Sequence, residues 1–118
     1  MPEPDWARPV VAWEITARDP ATLSAFYREL FNWTMTDGDV IRIAAGVGGP
    51  LPGPIGTMRK GAHTGVALFV QVRDLGQTIA KAQGLGATVL RQPVDTPGGA
   101  TFAAILDPEG NRLGLVQQ

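Results

Sequence analysis

The sequence predicts an α+β protein made of two β-α-β-β-β units, and three observations carry that expectation. The first is an internal repeat. VVAWEITARD (10–19) returns as GVALFVQVRD (65–74), keeping Val11/Val66, Ala12/Ala67, Arg18/Arg73 and Asp19/Asp74 in step. The second is that an aspartate closes each copy just where a helix should begin. The third is a set of hairpin turns spaced along the stretch after each helix. A period near 55 residues is too long, and two copies too few, for a solenoid, so two related halves about a pseudo-twofold are expected. The whole chain, 1–118, reads as one domain with units at 8–60 and 64–118.

Each element has a local reason. The β-branched residues of 10–17 favour a strand. Asp19-Pro20 then supplies an N-cap followed by a proline at the first helical position, where its missing N–H costs nothing. Leu23, Phe26, Tyr27 and Leu30 fall at i, i+3, i+4 and i+7, the stripe of a helix of about three turns. Trp33–Thr36 is a short strand, Asp37-Gly38 a hairpin turn and Val40–Ala44 the return strand. The loop GVGGPLPGP (46–54) leads to PIGTMRK, a fourth strand.

In the second unit Asp74 is the cap, Leu75, Ile79 and Ala82 form the stripe, and Gly86 suits the helix exit. ATVLRQPV, TFAAIL and NRLGLVQQ supply three strands. DPEG (107–110) joins the last two as a type I turn, with proline at i+1 and glycine at i+3.

Composition narrows the function. With 44% hydrophobic and 18% charged residues the chain is ordinary for a soluble globular protein. A net charge of −1 and no basic run set nucleic acid aside as a partner. The absence of cysteine removes disulfides, thiolate chemistry and sulfur-rich metal sites together. MPEPDWARP has no cationic-then-apolar leader pattern, and no apolar run reaches membrane-spanning length. A cytoplasmic protein with no membrane partner is expected.

The series strand, DP, FYxxLFxW, then strand, Asp, helix, LGAxV, then a terminal DPEGNRLGL spans residues 10–118. In that order and spacing it resembles the vicinal-oxygen-chelate superfamily, which includes glyoxalase I, bleomycin-resistance proteins and extradiol dioxygenases. The resemblance implies paired βαβββ units whose sheets curl around a cavity. It also implies a divalent metal, held by His- or Glu-type ligands in the first and last strand of each unit. Carried over, those positions fall on Ala12, Ala67 and Gly114, and by the match of PIGTM to RLGLV on Gly56. None has a donor atom on its side chain, whereas such a cation needs three or four converging ligands. No metal and no other cofactor is therefore expected. His63, the one histidine, sits in the loop before Ala67 and with Glu14 would make half a site at most.

Strand alternation sorts the remaining candidates. Val11, Trp13, Ile15 and Val66, Leu68, Val70 suit packing beneath the helices. Val10, Ala12, Glu14 and Ala67, Phe69, Gln71 form the opposite, less apolar face. Arg112 shares a face with Gly114 and Val116 on the last strand. The expected ligand-binding set is Ala12, Glu14, Trp33, Gly56, Ala67, Phe69, Gln71, Arg112 and Gly114. Glu14 is the catalytic candidate, as an acid–base group or as partner to a cationic ligand. The competing reading is a carboxylate neutralised by Arg112 or Arg42 across the sheet. Trp33 is either an aromatic wall of the pocket or core. The glycines and alanines either enlarge a cavity or merely permit close packing.

These readings lead to a protein that binds a small organic molecule without a catalytic metal. The alternative is an enzyme of the lyase, isomerase or dioxygenase type, with a relocated metal or with metal-free catalysis by Glu14. A third possibility is an interaction module whose cavity is filled by its own side chains. Open sheet edges predict a homodimer. Restoring histidine at 12 and 67 and glutamate at 56 and 114 is the expected route back to a metal site.

Overall fold

The computed structural model describes residues 7–44, 55–96 and 99–117. The glycine- and proline-rich loop at 46–54 lies outside them. Ten elements occur in order: β1 (Val10–Ala17), α1 (Pro20–Phe31), β2 (Thr34–Met35), β3 (Val40–Ala44), β4 (Ile55–Lys60), β5 (Gly65–Val72), α2 (Leu75–Gly84), β6 (Thr88–Asp95), β7 (Thr101–Leu106) and β8 (Arg112–Gln117). This is the β-α-β-β-β pattern twice over. The chain forms two compact units, Val11–Leu68 and Phe69 onward, the latter joined by the stretch ending at Val10. The division falls inside β5 rather than in the loop before it. One bond shows why the N-terminal stretch belongs with the second unit: Gln71 N donates to Pro9 O at 3.0 Å.

In the Val11–Leu68 unit the strand order is β2-β3-β4-β1. β1 and β4 run parallel, with Trp13 opposite Gly56 and Glu14 opposite Thr57. β3 runs antiparallel to both β2 and β4. Asp19 caps α1, accepting from Thr22 N at 3.2 Å and from Thr22 Oγ1 at 2.7 Å. The helix ends at Asn32, which takes a left-handed conformation (φ 57°) and donates its N–H to Arg28 O. The core beneath α1 is Ile15, Ala17, Met35, Ile41, Ile43 and Met58, with Trp13, Leu23, Tyr27 and Trp33 packed against it.

The predicted stripe of α1 is only half right. Leu23 and Tyr27 face the core, but Phe26 and Leu30 are 54% and 58% exposed. Ser24 is the residue α1 buries, at 2% exposure. At 100° per residue the inward face centres on 20, 24 and 27, which turns 26 and 30 outward.

In the second unit the order is β5-β8-β7-β6. Asp74 caps α2 by accepting from Gln77 N at 2.9 Å, and the Gln117 side chain accepts from Leu75 N at 2.6 Å. One first-turn N–H is thus held from the last strand. Leu75 and Ile79 sink into a core with Val72, Ala103, Ile105 and Leu115, and Ala82 packs against it. Gly86 (φ +101°) takes the helix exit, as expected. The pairing of β6 with β7 slips twice, between Val89 and Arg91 and again between Arg91 and Val94. Val66 and Leu68, expected beneath a helix, are 62% and 44% exposed at the start of β5.

The 107–110 turn is stitched by Asp107. Its carboxylate accepts from Glu109 N and Asn111 N, both at 2.9 Å, and from Asn111 Nδ2 at 2.8 Å. The Asn111 side chain, then the backbone donors, hold the Asp107 carboxyl below its ordinary value of 3.8. A depressed folded-state pKa contributes stability that is present above the unfolded value and is lost as pH falls through the folded one. In acid titrations followed by thermal melting, Asp107→Asn should therefore flatten the loss of stability below about pH 4. A slope identical to that of the parent protein would show that this carboxylate plays no part in acid unfolding.

Among the described residues no helix is long and apolar enough to cross a membrane.

Candidate functional site

The site positions separate by strand register. On β1, Ala12 and Glu14 point away from the helix side, whereas Trp13 and Ile15 point toward it. β4 is offset by one residue from the sequence expectation. Thr57, opposite Glu14, shares the Glu14 face, while Gly56, opposite Trp13, lies on the core side. A Cβ on Gly56 would run into the Trp13 indole, whose Cζ2 and Cε2 lie 2.4 and 2.6 Å from that point. Gly56 is thus a packing glycine and does not join Ala12 and Glu14. Trp33 is also on the core side, with ring centroids 5.6 Å from Trp13, 5.3 Å from Tyr27 and 5.1 Å from Phe31. Of its two readings, core is the one that holds.

Glu14 is 14% exposed at its side chain and is held within its own unit through one oxygen. One oxygen, Oε2, accepts from Arg59 Nε at 2.9 Å and from Thr57 Oγ1 at 3.3 Å. Within the first unit the neutralising arginine is therefore Arg59 on the neighbouring parallel strand, and not Arg42. The carboxylate holds β1 to β4 and stands in a polar setting. Glu14→Gln removes the charge from a pair whose arginine is 51% exposed. Solvent screening keeps the expected loss to about 0.5–1 kcal/mol, a drop of a few degrees in Tm by calorimetry. An unchanged Tm would show that the pair contributes nothing to the fold.

Ala67, near the end of the first unit, is 4% exposed; in the second unit Phe69 and Gln71 are half-buried. Gly114 shares their side, as its alternation with Leu113 and Leu115 requires. A Cβ there would meet the Phe69 ring, with Cδ1 and Cε1 2.4 and 2.5 Å away. Phe69 in turn meets Phe102 edge to face, centroids 6.0 Å apart. The ring covers the spot from which a ligand side chain at 114 would project. Arg112 is half-buried on the same strand and is not without a partner.

Among the described residues no three His, Asp or Glu side chains come together, and His63 is exposed in the turn after β4. Ala12, Ala67 and Gly114 offer no donor atom, so these residues do not fit the metal that the resemblance implies. One wide groove of about 760 Å³ opens on the helix side of the first unit, lined by Ile15, Leu23, Phe26, Tyr27, Gly65 and Val66 among others. It is not the face of Ala12 and Glu14.

A family model described as a glyoxalase-like domain matches residues 11–116. The chain belongs to the glyoxalase-like family. A curated relative, the anthracycline biosynthesis protein DauV of Streptomyces sp. (strain C5), is 30% identical over 113 residues, 91% of this chain and 41% of its own length. The chain thus spans under half of that relative. Among solved structures, a glyoxalase/bleomycin resistance protein/dioxygenase superfamily member from Vibrio splendidus 12B01 matches with a TM-score of 0.64 at 11% identity, covering 95% of this chain and all (100%) of that one. The 2,3-dioxygenase LapB from Pseudomonas sp. KL28 matches at a TM-score of 0.56 and 11% identity, covering 92% of this chain and 42% of LapB. These likenesses establish the vicinal-oxygen-chelate fold for the glyoxalase-like chain.

Ala12 and Glu14 lie together away from the core on β1, and Phe69 lies beside Gly114 in the second unit. Gly56 lies on the core side, and Thr57 and Arg59, outside the expected set, hold Glu14 instead. A one-residue slip flips every side chain of a strand to the other side, and a four-residue match of PIGTM to RLGLV is too short to fix that register.

Proposed function

We propose that this glyoxalase-like protein binds a small organic molecule without a catalytic metal. The observation that supports it most directly is Gly114. A position that would supply a metal ligand has no side chain, and an aromatic ring of the same unit lies over it. Ligand sites are concave, mostly apolar and carry few polar groups, and Phe69 and Phe102 of the second unit are materials of that kind. The DauV relative is named for anthracycline biosynthesis, which favours a polycyclic aromatic ligand. Catalysis by Glu14 is the weaker reading, because its carboxylate is already committed to Arg59 and Thr57. We further propose a homodimer as the working form.

The test is a thermal-shift titration of untagged protein with an anthracycline aglycone that carries no amino sugar, with and without zinc, nickel and manganese. A ligand present at about 100 times its Kd adds about 2.7 kcal/mol of stability. The expected result is a metal-independent rise in Tm. A rise that requires the metal, or stoichiometric metal in protein as purified, would overturn the metal-free reading. Light scattering at micromolar concentration checks the dimer, and a monomer there would remove it.

A further inference from the structure

The non-helical face of the first unit holds a small grid of polar side chains that fixes the charge of what binds there. Arg42 on β3 lies opposite Thr57 on β4, and Thr57 lies opposite Glu14 on β1. The adjoining row runs Val40, Arg59 and Thr16 across the same three strands. Cross-strand neighbours on one face have Cβ atoms about 5 Å apart, so both guanidiniums rise from one patch. Among the described residues Glu14 is the one carboxylate of these two rows, and both Arg59 and Thr57 donate to it. Among the described residues no carboxylate pairs with Arg42, which is exposed. Two guanidiniums against one committed carboxylate leave a net positive charge. The face therefore offers nothing to a cation and a planar, multi-donor group to an anion.

Resting on the small-molecule reading above, we infer that the ligand is an organic acid whose carboxylate or ionised enol is taken by Arg42. In this arrangement Glu14 is a positioning residue. It holds Arg59 beside Thr57 and keeps the second guanidinium at the anion's edge.

The probes are 2-naphthoate and its neutral counterpart 2-naphthamide, titrated by calorimetry at low salt into the parent protein and into Arg42→Gln. The parent should bind the acid about tenfold more tightly than the amide, and Arg42→Gln should remove most of that preference while leaving the amide within about twofold. An unchanged melting curve for Arg42→Gln, expected of an exposed side chain, keeps folding out of the comparison. Equal affinity of the parent for both probes, or an Arg42→Gln protein that still prefers the acid, overturns the inference while the small-molecule reading stands. Failure of both probes to bind at millimolar concentration overturns both readings.

Discussion

Gly114→Glu is expected to cost about 3 kcal/mol or more and to leave the protein largely unfolded at 37 °C. The new Cβ alone would stand 2.4–2.9 Å from three atoms of the Phe69 ring. That ring cannot swing freely, because its edge-to-face contact with Phe102 fixes it and Gly114 itself is buried. A carboxylate added there would also be desolvated beside two aromatic rings. Gly56→Glu meets the same obstacle, because Trp13 fills the space and the core with Trp33 stands behind it. Rebuilding a metal site at 12, 56, 67 and 114 by ligand substitution alone should therefore fail for a steric reason. Gly114→Glu combined with Phe69→Ala separates the causes. If steric overlap dominates, the double variant should recover a cooperative melt that the single variant lacks. Equal damage in both would mean that the buried charge dominates.

Met58→Ala is the second large effect, at about 2–5 kcal/mol. Met58 has no exposed surface and sits on β4 among Ile15, Ile41, Ile43 and Met35, with strands on both sides of it. Truncation leaves a cavity that paired β1 and β3 cannot close without breaking their ladders. Met58→Leu conserves volume and should cost less than about 1.5 kcal/mol. Urea unfolding followed by tryptophan fluorescence reads both variants, since Trp13 and Trp33 pack against that core. A loss below about 1 kcal/mol for Met58→Ala would mean that the core collapses around the gap.

The legible parts of the molecule were those fixed by neighbours in the chain. Asp19 and Asp74 cap the helices because capping is a contact across three residues. Gly86 and Gly110 take positive φ because local turns demand it. Trp13 and Ile15 turn inward because alternation is a period of two. What depends on the pairing of distant strands was not legible. The partner of Glu14 lies 45 residues away on a parallel neighbour, and nothing in the local pattern distinguishes Arg59 from Arg42. The face of Gly56 hangs on the same register. Phe26 and Leu30 keep the apolar spacing of a core stripe, but α1 buries the small Ser24 instead, a choice set by packing rather than by spacing.

The double slip in β6 bears on how this protein behaves when concentrated. β6 ends the strand order of its unit, and an end strand is a template on which foreign chains can polymerise. Two irregularities within eight residues break the even row of donors and acceptors that such growth needs. Pro93, in the same strand, contributes no N–H at all. At the end of the other unit's order, β2 is only two residues long. β6 and β2 are thus each blunted against amyloid-like stacking, so growth of a foreign backbone ladder on either strand is disfavoured.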